Sequence, residues 1–225
     1  MTKEPSTQSK CRLYLITPPV IDDINQFADH VKNAFQGGDV ACLQVRLKDG
    51  TAQTKDAEIL RVAEKLLPIA KDAGVAMLLN DDPELAKRVG ADGVHVGQDD
   101  ADCRKAREIL GDEASIGVTC HSSIDLAFKA GEDGADYVAF GAFFPTATKQ
   151  APTRAPKEIL TQWQMATILP SVAIGGITPD NGAELVTAGA DFLAVSAAIW
   201  QNADGPGAAV AAFNTMIAAA SGDAG

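Results

Sequence analysis

Basic residues are the scarce class in this chain. Lysine and arginine number 19 against 30 aspartates and glutamates, a formal net charge of −11 over 225 residues. Such a surface suits neither nucleic acid nor an anionic membrane, since both call for an excess of positive charge. An anionic ligand must instead meet a few cations gathered in one place, or a recruited metal ion. Cysteine is sparse too. Cys11, Cys42, Cys103 and Cys120 are far apart with no C-x-x-C pair, and they read as reduced thiols of a cytoplasmic protein. No apolar run approaches membrane-spanning length. The stretch Met1 to Lys10 is polar and lacks a signal-peptide core, so a flexible tail is expected over 1–10. Neither a Walker A sequence nor G-x-G-x-x-G occurs.

What the chain does have is strict alternation. Short β-prone runs at 13–17, 39–48, 75–80, 93–96, 115–119, 137–140, 171–174 and 192–196 are each followed by residues with apolar positions at helical spacing. Those helices are expected near 24–35, 54–73, from 82, 104–110, 122–130, 156–168, 179–188 and 208–219. Eight strand–helix units imply a parallel sheet covered by helices. A Gly and an Asp recur just before the second, fourth, sixth and eighth strands, at Asp39, Asp92, Asp136 and Asp191. This fourfold rhythm fits a closed (β/α)8 TIM barrel, a single α/β domain over 11–219 with a short flexible tail at 220–225, better than an open sheet with a reversal point.

The second strand carries the first chemical signal. Side chains alternate faces along a strand, so Val40, Cys42, Gln44, Arg46 and Lys48 are expected on one side and Ala41, Leu43, Val45 and Leu47 on the other. The first set starts apolar and turns amide, guanidinium and ammonium toward its end. A buried Arg–Asp pair with a solvated Lys would account for it; so would an anion bound where the strand emerges. In barrels of this kind sites collect at the C-terminal ends of the strands, and three subsites can be read there. Arg46, Lys48 and Lys149, with Asn80 and Thr119 as donors, make a cationic cup for a polyanion such as diphosphate. Asp81 and Asp100 follow neighbouring strands and suit a hard cation such as Mg²⁺, whereas Asp82 and Asp102 read as helix caps. Gly175-Gly176 before a helix start at Thr178-Pro179, beside Val195-Ser196-Ala197, offers backbone N–H groups to a phosphate. His95 reads as a lumen or core residue. Cys120 and His121 are adjacent, point opposite ways, and make no nucleophile–base pair.

Taken together and in order, Gln44-x-Arg46-x-Lys48, Asn80-Asp81, Ala91-Asp92-Gly93-Val94-His95-Val96-Gly97-Gln98 with Asp100, Pro145-Thr146-x-Thr148-Lys149 and Gly175-Gly176-Ile177 resemble the thiamine phosphate synthase family along nearly the whole chain. The resemblance implies a (β/α)8 transferase that joins a hydroxymethylpyrimidine diphosphate to a thiazole phosphate and releases diphosphate. It implies that Gln44, Arg46, Lys48, Asn80, Thr119 and Lys149 hold the pyrimidine diphosphate, with Arg46, Lys48 and Lys149 catalytic. It implies Mg²⁺ on Asp81 and Asp100, and the thiazole phosphate on Thr146, Thr148, Gly176, Ser196 and Ala197. The chain departs from the family pattern at Thr119, where Ser is usual, at Ala142, where Pro is usual, and at Ala197, where Ser is usual. Two alternatives stand beside this expectation: a thiazole tautomerase using His121 as acid/base, and a silent phosphate-ligand binder. The expected partners are small phosphorylated molecules, with a homo-oligomer as a further possibility.

Overall fold

The structure, a computed structural model, describes residues 11–48, 56–98, 100, 102–146 and 154–222. Strand and helix alternate as β1 (Arg12–Ile16), α1 (Ile24–Gln36), β2 (Val40–Val45), α2 (Asp56–Asp72), β3 (Ala76–Asn80), α3 (Pro83–Val89), β4 (Gly93–Val96) and α4 (Cys103–Leu110). The second half continues as β5 (Ser115–His121), α5 (Ile124–Glu132), β6 (Tyr137–Gly141), α6 (Glu158–Ala166), β7 (Ser171–Ile174), α7 (Ala183–Thr187), β8 (Phe192–Val195), α8 (Ala197–Trp200) and α9 (Pro206–Ala220). All neighbouring strands pair in parallel, and β8 pairs with β1 to close the barrel.

Local chemistry sets the elements. In α1, Phe27, Ala28, Val31 and Ala34 form one buried stripe, and Asp23 caps the helix by accepting from the N–H groups of Asn25 and Gln26. Asp82 caps α3 ahead of Pro83, and Gly90 ends that helix in the left-handed conformation at φ 72°. The apolar core has two layers. Leu13, Leu15, Leu43 and Leu79 face outward onto Val31, Leu66 and Phe213 of the helices, while Tyr14, Ile16, Cys42, Leu78, Tyr137 and Ala139 fill the lumen.

The recurring aspartates close the N-terminal end of the barrel. Carboxylate oxygens of Asp92, Asp136 and Asp191 accept from the backbone N–H of Met77 (2.7 Å), Ile116 (2.6 Å) and Ser171 (2.8 Å). Each aspartate N–H in turn donates to the carbonyl of the same residue. The fourth, Asp39, takes the Arg12 guanidinium at 2.7 and 2.8 Å. An even-numbered strand is thus clasped to the odd-numbered strand before it.

The structure corrects several local expectations. Pairing of β1 with β2 steps from Leu13↔Val40 to Tyr14↔Cys42, so Ala41 is an extra residue and Val40 turns outward with Leu43 and Val45 instead of sharing the face of Gln44. β2 ends at Val45 because the Thr17 hydroxyl takes over the next ladder groups. It accepts from Arg46 N at 2.9 Å and donates to Arg46 O at 3.1 Å. The expected helix start at Thr178-Pro179 is a turn. Asn181 closes it by accepting from Thr178 N and donating to Gly176 O, and α7 begins only at Ala183. Conversely, β5 runs two residues further than expected, through a bulge to His121, and the short α8 follows β8 unannounced. Among the described residues no helix is long and apolar enough to cross a membrane.

Candidate active site

The C-terminal ends of the strands open into a cavity of about 1210 Å³. Gln44 reaches it from β2 with Arg46 and Lys48 just past that strand's end, Asn80 from the end of β3 with Asp81 just past it, Asp100 from the segment after β4, and Thr119 from β5. Thr146, Gly176, Ser196 and Ala197 line the opposite wall. Thr148 and Lys149 lie outside the described residues. Every other site residue expected from the sequence faces the same space.

On the first wall, Gln44 Nε2 donates to Asn80 Oδ1 at 2.9 Å. This bond locks both amides and leaves the Gln44 carbonyl oxygen and the Asn80 N–H groups to a ligand. The Lys48 ammonium pairs with the Asp81 carboxylate at 2.5 Å. Asp81 adopts φ 69°, a left-handed conformation that Asp tolerates better than most side chains. Its N–H donates to His95 O at 2.8 Å. Burial pushes the Asp81 carboxyl above its ordinary range, the adjacent Asp100 adds to the rise, and Lys48 opposes it. Gly97 lets Asp100 come close: its N–H donates to Asp100 Oδ2 at 2.8 Å, and a Cβ at residue 97 would stand 2.6 Å from that oxygen. Burial lowers the Arg46 guanidinium from its usual value, while Asp81 and Asp100 pull it back up. Arg46 and both carboxylates therefore share one electrostatic neighbourhood.

Two crowded carboxylates, one of them paired with Lys48 and still raised above its ordinary range, form an all-oxygen donor set that is short of positive charge. That fits Mg²⁺, which is usually held by one or two carboxylates together with substrate phosphate oxygens and water. No group of three His, Cys, Asp or Glu able to cage a metal occurs among the described residues.

The second wall is backbone-rich. Phe143 N and Phe144 N donate to Ile174 O (3.1 Å) and Gly175 O (3.0 Å), so the segment after β6 extends the sheet alongside β7 and carries Thr146 to Gly176. Gly176 has φ 64°, and a Cβ there would lie 2.3 Å from Pro145 O; a side chain would wedge the two loops apart. Gly141–Ala142 is a cis peptide. The Ser196 hydroxyl donates to Thr17 O at 3.3 Å.

Cys120 and His121 diverge as expected. Cys120 is buried in the outer core, its thiol pushed by burial up to about 12, whereas His121 lines the cavity at φ 52°. His95 is a lumen residue, hydrogen-bonded to Tyr137 and Thr119. Sequence reasoning missed the lumen residues Tyr14 and Tyr137 and Trp200, which lines the cavity and donates its indole N–H to Ile16 O at 2.6 Å. Tyr14 was findable, because alternation from the outward Leu13 and Leu15 turns it into the lumen; Trp200 depends on α8, which left no periodic signal.

The fold and the site define a (β/α)8-barrel enzyme acting on small phosphorylated substrates. A family model described as thiamine monophosphate synthase matches residues 13–199, and the chain belongs to that family. It is 55% identical over 207 residues to thiamine-phosphate synthase of Rhodospirillum centenum, covering 92% of this chain and 98% of the relative. It is 51% identical over 217 residues to the protein of the same name from Hyphomonas neptunium, covering 96% and 98%. Among solved structures, thiamine phosphate pyrophosphorylase from Pyrococcus furiosus superposes with a TM-score of 0.80 at 27% identity, over 95% of this chain and 98% of that one. A 3-hexulose-6-phosphate synthase, at TM-score 0.67 and 19% identity over 90% of this chain and 98% of that one, shares the fold alone.

Proposed function

We propose that this enzyme condenses 4-amino-2-methyl-5-hydroxymethylpyrimidine diphosphate with a thiazole phosphate to give thiamine phosphate and diphosphate, assisted by Mg²⁺. The observation that carries the reading is Arg46 and Lys48 gathered against Asp81 and Asp100 at one mouth of a net-acidic molecule. Names of the relatives support the same reaction and favour neither a tautomerase acting through His121 nor a silent binder.

Arg46 and Lys48, together with Lys149, hold the diphosphate and meet the negative charge that grows on it as the C–O bond breaks. The Gln44 carbonyl and Asn80 amide N–H groups match the donor and acceptor edge of an aminopyrimidine. Asp81 and Asp100 would hold Mg²⁺, which when bound supplies further neutralisation of the leaving group. The bond's electron pair departs with diphosphate, leaving a benzylic-type cation that the electron-rich aminopyrimidine stabilises. The thiazole nitrogen donates its lone pair to that carbon, forming the C–N bond and a thiazolium product. Thr146, Thr148, Gly176, Ser196 and Ala197 orient the thiazole phosphate for this in-cavity capture, and positioning does much of the work. No protein nucleophile and no protein proton transfer is needed.

The test is diphosphate release measured with both substrates, with each alone, and after metal removal. Release that requires both substrates and Mg²⁺ is expected. Thiazole conversion without the pyrimidine diphosphate, indifferent to chelator, would overturn the proposal.

A further inference from the structure

The lumen holds a line of polar groups that ends on Thr119 and whose other members this chemistry leaves unused. Tyr14 Oη lies 3.0 Å from Tyr137 Oη, Tyr137 Oη lies 3.0 Å from His95 Nδ1, and His95 Nε2 lies 2.8 Å from Thr119 Oγ1. These residues come from β1, β6, β4 and β5, and the first three are buried. Gly117 makes the room: a Cβ there would sit 1.9 Å from Tyr137 Cζ.

Hydrogen counting gives the line a direction. Among the described residues the Tyr14 hydroxyl meets no side-chain or backbone partner except Tyr137. When Tyr14 donates to Tyr137, Tyr137 donates to His95 Nδ1. The ring then carries its proton on Nε2 and donates it to Thr119 Oγ1, and every hydrogen of the two tyrosines is paired. Reversed, the Tyr14 hydrogen has no acceptor, and a buried donor without one bears the full desolvation penalty. The Thr119 hydroxyl is half-buried at the cavity wall and has only His95 as a partner among the described residues. In the favoured direction its own hydrogen is left for the cavity; in the reverse it would be spent on His95.

We infer that Tyr14, Tyr137 and His95 are positioning residues, a directional hydrogen-bond relay that fixes His95 as the Nε2–H tautomer and commits the Thr119 hydroxyl as a donor to bound ligand. That this ligand is the pyrimidine diphosphate rests on the function proposed above; the direction of the relay does not.

Ring-nitrogen NMR of the ligand-free, ¹⁵N-labelled full chain tests the direction. The chain has three histidines, and His95→Gln identifies the relevant signals. One Nε2–H tautomer is expected in the wild type. Tyr14→Phe keeps it, because Tyr137 then ends the line and still places its hydrogen on Nδ1, whereas Tyr137→Phe weakens the preference into an averaged spectrum. In turnover assays Thr119→Val lowers kcat/KM for the pyrimidine diphosphate by about tenfold, the loss of one donor. Thr119→Ser restores it at unchanged thermal midpoint. An Nδ1–H wild type, a Tyr137→Phe spectrum identical to wild type, or a Thr119→Val enzyme as fast as wild type would each overturn the inference. Because the spectra need no substrate, they decide the direction whether or not the proposed reaction is observed.

Discussion

The two ends of the barrel use the same residue in opposite ways. At the N-terminal end, Asp92, Asp136 and Asp191 each accept a backbone N–H and spend their charge inside the fold. At the C-terminal end, Asp81 and Asp100 are pressed together, and burial raises the Asp81 carboxyl instead of relieving it. One end is electrostatically closed and the other is held in a state that a cation or ligand would relax. A charge costs the folded chain little where hydrogen bonds answer it inside the fold; at the open end Asp100 has the Gly97 N–H but stays crowded against Asp81, and that crowding leaves the pair available for chemistry.

The contrast is sharpest in turnover. Lys149→Ala is expected to lower the rate of diphosphate release by about 10²- to 10³-fold, the usual loss of a group aimed at transition-state charge, with the thermal midpoint nearly unmoved. A near-wild-type rate would remove Lys149 from the diphosphate subsite. Asp100→Asn is expected to raise the Mg²⁺ concentration needed for half-maximal rate by roughly 10-fold or more; an unchanged metal titration would separate Asp100 from the metal.

At the closed end the effect moves from rate to stability. Asp136→Ala deprives Ile116 N–H of its side-chain acceptor and the Arg107 guanidinium of its carboxylate partner, leaving Arg107 its carbonyl acceptors such as Gly134 O, and is expected to cost about 1–3 kcal/mol of unfolding free energy. The folded fraction should keep the wild-type kcat, and denaturant curves beside single-concentration rates show whether the two effects separate.

The smallest effect concerns a carboxylate held by cations alone. Lys129 and Arg104 pair with Asp133 and depress its carboxyl below the ordinary value. A depressed folded-state value stabilises the protein above the unfolded one, about 3.9, and that stability is lost as pH falls through the folded value. Thermal midpoints of wild type and Asp133→Asn should therefore differ at pH 6 and converge toward pH 3. A gap that stays constant over this range would show that the pair acts by something other than charge.

The sequence made the barrel readable because alternation and the Gly–Asp turns are local signals that repeat. It misled at Val40, since one bulged residue reverses the facing of everything before it, and a bulge has no periodic signature. It overextended α7, because Thr178-Pro179 is as good a helix start as a turn until Asn181 is seen folding back on it. In the site, Arg46, Lys48, Asp81 and Asp100 stood out because charge near a strand end is conspicuous. The Tyr14–Tyr137–His95 line was out of reach: its members are separated by up to 123 positions, and only the register of the closed sheet brings them together.

The aspartate clasps also change how the barrel is counted. Each joins β3 with β4, β5 with β6, or β7 with β8, and Arg12–Asp39 does the same for β1 and β2. The clasping side chains stay within their couples, and only the main-chain carbonyls of Asp92 and Asp191 reach on, accepting from Ser115 N and Arg12 N of the next. Opened and rejoined as a permuted chain, the molecule should accept new ends in the connections at 73–75, 111–114 or 167–170, which lie between couples, more readily than at 90–91 or 134–135, which cut through one. In that sense the protein is a ring of four stitched quarters.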